Sequence, residues 1–177
     1  MRVLMLSKAC LVGAYQTKLE AIARLPDVEL MAVVPPSWDD PDGRVTLERR
    51  FTAGYELLVD PIRFNGNYHF YYFPTLRERL AQFRPDVVHI DEEPYNLATW
   101  LAMRQSRAVG AKTLFFTWQN LERRYPPPFN WLERQVLNGV DYAIMGNQEA
   151  ARVWRGQGGT RPPPAGPPIG GAPEMDS

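Results

Sequence analysis

"RVLMLSKACLVGAYQTKLEAIARLPDVELMAVV", residues 2–34, decides the fold. Its first five residues form a short β-prone apolar run that Ser7 and Lys8 stop. KLEAIARL (18–25) then places Leu19, Ile22, Ala23 and Leu25 on one helical stripe, closed by Pro26 and Asp27. VELMAVV (28–34) is the next apolar run, ended by Pro35 and Pro36. Strand, helix and strand within so short a span form the unit that makes a parallel crossover.

The alternation returns further along. TLRERLAQF (75–83) has Leu76, Leu80 and Phe83 at helical spacing, and DVVHI (86–90) follows as a strand. NLATWLAMRQSRAV (96–109) is predicted helical, with Leu97, Trp100 and Leu101 on its apolar side and Gly110 as its stop. KTLFFTW (112–118) and DYAIMG (141–146) are predicted strands, with a helix over 129–139 between them. A last helix is expected over 147–156, between Asn147 as N-cap and Gly156 as stop. The middle, 37–73, is less regular: a strand is expected at 55–59, and the aromatic run YHFYYF (68–73) is compatible with an extended segment. Strands alternating with helices imply an α/β domain with a mostly parallel, Rossmann-like sheet. From Gly156 onward Gly and Pro dominate, which excludes a helix or a central strand. The expected organisation is therefore a domain over 1–156 and a Gly/Pro-rich tail or linker over 157–177.

The bulk composition narrows the classes. The chain has 177 residues, 45% of them apolar, enough for one domain with a substantial core. Lys plus Arg equals Asp plus Glu at 20 each, which argues against a general nucleic-acid binder. A single cysteine, Cys10, allows no disulfide and no Cys-rich zinc site, and reads as a small buried thiol in a reducing compartment. No apolar stretch is long enough to span a membrane, and the interrupted N-terminal run reads as a strand rather than a signal peptide.

In a doubly wound sheet, ligands sit beyond the carboxyl ends of the strands. Four polar or aromatic loops qualify: 7–15, 91–96, 118–128 and 147–150. The second opens with Asp91, Glu92 and Glu93, three acids stopped by Pro94. Adjacent carboxylates repel by only about half a kcal/mol per pair in water, so position makes this triplet interesting. Such a group accepts hydrogen bonds from hydroxyls, and a vicinal diol suits a carboxylate pair; it also suits a solvated turn leading into a helix. In the third loop Trp118 offers a face for stacking on a sugar or base, and Gln119 and Asn120 offer amides for hydroxyls. Gly13 is the lone glycine of the first loop, short of the G-x-G-x-x-G that a dinucleotide site wants. His89 lies in a predicted buried strand and reads as a satisfied core imidazole, and His69 sits among aromatics, where packing is expected. The two share no metal-ligand spacing and G-x-S-x-G is absent, so zinc chemistry and hydrolase triads have no support.

Taken together, residues 1–38, 84–100 and 111–150 resemble the N-terminal domain of glycosyltransferase family 4, enzymes of the GT-B fold. The resemblance implies one half of a two-domain enzyme that moves a sugar from a nucleotide-sugar to a hydroxyl acceptor with retention. It implies no metal and no cofactor beyond the donor. Carried over by position, Asp91 takes the catalytic place near the acceptor hydroxyl. Glu92, Glu93, Trp118, Gln119 and Asn120 shape the acceptor pocket, and Gly13 lines the donor phosphates. The expected partners are the nucleotide-sugar, a saccharide or lipid-linked acceptor and a separate C-terminal half. The expected place is the cytoplasm, with peripheral attachment at the inner membrane face left open. The glutamate-bearing donor domain of such enzymes is not among these residues, so the chain alone is expected to be inactive. The rival reading is a non-catalytic Rossmann-like module working with a partner chain.

Overall fold

The computed structural model describes residues 1–117 and 125–145. Six strands form one sheet: β1 (Arg2–Leu6), β2 (Glu29–Val34), β5 (Glu56–Val59), β6 (Val87–Ile90), β7 (Lys112–Thr117) and β8 (Tyr142–Met145). They lie in the order β5-β2-β1-β6-β7-β8, and every neighbouring pair is parallel. Counting only these six, the spatial order is 3-2-1-4-5-6, the doubly wound arrangement. The chain runs outward from β1 in one direction, returns, and runs outward from β6 in the other. The reversal falls between β1 and β6.

β1 explains why the arrangement is stable. Side chains alternate across a strand, so an unbroken apolar run serves a sheet buried on both faces. Leu4 and Leu6 enter one core with Val33, Val88, Ile90 and Phe115, and Val3 and Met5 enter the other with Leu19, Leu30, Ala32 and Val34. α1 (Thr17–Ala23) covers the second core through Leu19, with Ile22 and Ala23 beside it. α2 (Leu76–Phe83), α3 (Leu97–Ala108) and α4 (Phe129–Gly139) cover the first. No helix among the described residues is long and apolar enough to cross a membrane.

Three expectations change. The buried stripe of α3 is Ala98, Thr99, Ala102, Met103 and Ser106, while Leu97, Trp100 and Leu101 are only half-buried. Small residues bring this helix close to the sheet, and the bulky ones flank it, Trp100 meeting Trp131 of α4 at 5.7 Å between rings. Residues 68–73 do not form a strand. Asn67 turns the chain by accepting through Oδ1 from the N–H groups of His69 and Phe70, and Arg63 with Tyr72 makes only an isolated bridge. This turn sends Tyr71 into the core, fully buried. The irregular middle also contains a hairpin, β3 (Ser37–Asp40) and β4 (Gly43–Thr46), whose Trp38 is buried. The expected helix over 147–156 lies outside the described residues.

At the end of β5, the fully buried Asp60 accepts from Arg79 of α2 through both oxygens and from the Thr75 hydroxyl at 2.7 Å. This contact ties the return crossover to the edge of the sheet. Arg79→Met leaves that carboxylate without its cation and is expected to cost about 3 kcal/mol. Urea denaturation should show a lower midpoint with unchanged slope, and Asp60→Asn added to Arg79→Met should recover part of the loss.

Candidate functional site

The reversal between β1 and β6 brings two loops face to face. β1 ends its apolar run at Ser7, whose N–H donates to the Val33 carbonyl at 3.1 Å. β6 ends at Ile90, and the Asp91 N–H donates to the Leu6 carbonyl at 2.9 Å. The ladders on either side thus deliver Ser7 and Asp91 to one point. The Ser7 hydroxyl donates to Asp91 Oδ2 at 2.6 Å. Lys18, from the first turn of α1, forms an ion pair with the same oxygen. Among the described residues no donor reaches Asp91 Oδ1.

Glu92 turns the other way and is buried. Its Oε1 accepts from the Lys8 backbone N–H, and its Oε2 accepts from the Tyr71 hydroxyl. Burial pushes this carboxyl up to about 7, against the pull of Lys8 and of the two donors. Tyr71 in turn accepts from Asn96 Nδ2 at 3.5 Å. Asn96 caps α3 by accepting the Thr99 N–H at 2.9 Å, and the Thr99 hydroxyl donates to the Glu93 carbonyl at 2.7 Å. The acidic turn is therefore held at both ends, by the β6 ladder and by a helix cap.

A hollow of about 300 Å³ opens above these groups, lined by Lys8, Ala9, Tyr15, Lys18, Asp91, Glu92, Glu93 and Phe116. That volume is at the small end for a ligand pocket and suits a monosaccharide-sized group. Aromatic side chains of residues 69–70, 95, 125 and 129 pack against one another. His69 lies 4.4 Å from Phe129, Phe129 lies 5.0 Å from Phe70, and Tyr95 stacks on Tyr125 at 4.3 Å.

The expected site residues fall into three groups. Asp91, Glu92 and Glu93 come together at the hollow. Among the described residues Asp91 keeps one oxygen without a donor, whereas both oxygens of Glu92 are engaged. Gly13 lies off the hollow, and its N–H donates to Glu48 Oε2 at 2.9 Å, so a carboxylate of the chain stands where a phosphate was expected. Trp118, Gln119 and Asn120 lie outside the described residues. His89, expected to be a satisfied imidazole, has an enclosed Nε2 with no partner among the described residues, although the residue is only half-buried. It pairs in register with Met5, and burial pushes its imidazole down to about 4, so it is neutral at neutral pH. Cys10 is buried as expected, and burial pushes its thiol up, away from the thiolate a nucleophile needs.

Sequence reasoning missed Ser7, Lys8, Lys18, Tyr71 and Gln16. Gln16 is fully buried and joins segments: its Nε2 donates to the carbonyls of Cys10 and Glu48, and its Oε1 accepts from the N–H groups of Arg50 and Phe51. One signal was available, since Ser7 and Lys8 interrupt an apolar run at the strand's carboxyl end. Lys18 and Tyr71 carried none, as a helix surface lysine and one tyrosine of an aromatic run. No group of three or more His, Cys, Asp or Glu among the described residues could hold a metal ion.

Compared with known protein families, residues 27–164 match Glycosyltransferase Family 4. No curated protein matches the chain.

Two buried groups give the stability a pH signature. Glu92 has its folded value raised from 4.5 to about 7, so its contribution is present in acid and fades as pH rises through 7. His89 has its folded value lowered from 6.5 to about 4, so its contribution is present above 6.5 and fades as pH falls towards 4. The two oppose each other between about 4.5 and 6.5. Glu92→Gln should unmask the histidine: where the wild-type chain changes little from pH 6.5 to 4.5, the variant should lose on the order of 2 kcal/mol, by chemical denaturation across pH.

Proposed function

The chain belongs to glycosyltransferase family 4, and from that premise we propose that it forms the acceptor-binding half of a retaining glycosyltransferase. The observation that carries this reading is Asp91 Oδ1, which no donor among the described residues reaches, at the rim of a sugar-sized hollow where the strand order reverses. An acceptor hydroxyl donates to Asp91 Oδ1, while Ser7 and Lys18 keep the carboxylate oriented through Oδ2. Glu93, on the same lining, accepts from a neighbouring hydroxyl of the acceptor. Trp118, Gln119 and Asn120, which follow β7 in the sequence, are assigned to the acceptor as further contacts.

The contribution of this half is orientation. The sugar arrives on a nucleotide diphosphate held by a second domain, and the acceptor oxygen forms the new bond to the anomeric carbon as the bond to phosphate breaks. The leaving phosphate takes the acceptor proton, so Asp91 orients the hydroxyl and does not need to keep its proton. A donor phosphate that approaches the first loop at Gly13 takes the place of the Glu48 carboxylate.

NMR titration of these 177 residues with methyl α-glucoside and methyl α-mannoside tests the reading. Shifts should concentrate at Tyr15, Lys18, Asp91 and Glu93. Asp91→Asn should weaken binding by about tenfold, the value of one charge-assisted hydrogen bond. Shifts elsewhere, or binding unchanged in Asp91→Asn, would overturn the assignment. The same chain incubated with nucleotide-sugars and these glycosides should give no turnover; turnover would show that one domain suffices.

A further inference from the structure

Lys8 has a task that hydroxyl binding leaves unused. It lines the hollow, yet its ammonium enters no ion pair among the described residues, whereas that of Lys18 is committed to Asp91. The ammonium lies instead over two aromatic faces, 4.6 Å from the centre of Trp38 and 5.0 Å from that of Tyr68.

This seat is built rather than incidental. Trp38 is buried, its ring lies 4.9 Å from that of Tyr68, and the Tyr68 hydroxyl donates to Asp40 Oδ2 at 2.6 Å. The Lys8 main chain is pinned from the other side by Glu92. Aromatic faces hold a cation without neutralising it, and partial removal of water strengthens what it can do to an anion. Glu92 is the adjacent acid, and with its carboxyl raised to about 7 it is about half protonated at neutral pH and offsets the lysine only in part. Asp91 is balanced by Lys18. Glu93 is a further acid on this lining, but among the described residues Lys8 brings to the lining an ammonium with no ion pair, beside an Asp91 Oδ1 that no donor reaches.

We infer that Lys8 is an anchor for an anionic group, a phosphate or carboxylate, carried by the molecule whose hydroxyl Asp91 receives. This rests on the acceptor reading above and narrows it: the acceptor is an anionic saccharide or polyol rather than a neutral one. The same chemistry could be supplied by the donor diphosphate, so the test separates the two sources.

The isotope-labelled chain is titrated by NMR with inorganic phosphate, glucose 6-phosphate, UDP and methyl α-glucoside. Lys8→Gln keeps the backbone N–H that Glu92 uses, so the fold should persist, and Lys8→Arg restores the charge. Glucose 6-phosphate should bind about tenfold more weakly to Lys8→Gln and within about threefold of wild type to Lys8→Arg, while methyl α-glucoside binds all three alike. Arg77→Gln, on an exposed face of α2, serves as the control and should change nothing. Lys8-dependent binding of UDP without that of glucose 6-phosphate would keep the anion site and assign it to the donor, overturning the anionic acceptor. Glucose 6-phosphate binding that is absent or unchanged in Lys8→Gln, with the glucoside still at Asp91, would overturn the anchor and leave the acceptor reading standing. Lys8-dependent binding of inorganic phosphate with no response to any sugar would do the reverse.

Discussion

The structure depends on burying β1 on both faces at once. Five residues, Arg2–Leu6, lie between β2 and β6, and their alternating side chains close two separate cores. A strand in that position cannot remain apolar beyond its last ladder bond. At Ser7 the chain must find polar partners or leave the sheet, and it does both. The hydroxyl goes to Asp91 at the end of β6, and the backbone turns away towards α1. The site is thus the place where a strand buried on both faces runs out of sheet, and its polar groups satisfy one another because the surrounding core offers them nothing.

Two adjacent carboxylates are held there in different surroundings. Asp91 has a cation and a hydroxyl on one oxygen and leaves the other free. Glu92 has a backbone N–H and a phenol, no ion pair, and almost no exposure. Burial raises the Glu92 carboxyl to about 7. Glu92 therefore knits together the loops after β1, β5 and β6, while Asp91 faces the hollow. Asn96 and Thr99 hold the turn that precedes them closed from the helix side.

The sheet was legible in the sequence because its signal is local. RVLML, ELMAVV and KTLFFT are apolar runs bounded by Ser, Pro or Gly, and each forms its strand within a residue or so of the expected bounds. The face of α3 was misplaced because small residues, which carry little hydrophobic weight, decide how closely a helix approaches a sheet. The hairpin Ser37–Thr46 was missed because its buried anchor is the single Trp38 among polar and exposed residues. For the site, the acids could be seen, since Asp91, Glu92 and Glu93 stand together at a strand's end. Their partners could not: Ser7 lies 84 residues away, Lys18 73 and Tyr71 21, and no spacing rule joins them. Only strand order brings them together.

The same logic bears on the first loop. In a dinucleotide-binding sheet the turn after β1 is left open, with glycines giving a phosphate access to backbone N–H groups. Here the turn is closed from within. Glu48 accepts the Gly13 N–H, Gln16 straps residues 48–51 across the loop, and a Cβ at Gly13 would meet the Arg50 side chain at 2.3 Å. The smallness of Gly13 accommodates that strap. Closing the loop shifts the open polar surface from the α1 side towards β6, where Asp91, Glu93, Lys8 and Lys18 line the hollow. A hollow lined by side chains recognises shape and hydroxyl placement, whereas a backbone cradle recognises diphosphate in general. Strand order alone would suit either role. The internal strap at Gly13 leaves the backbone cradle closed and the side-chain hollow open.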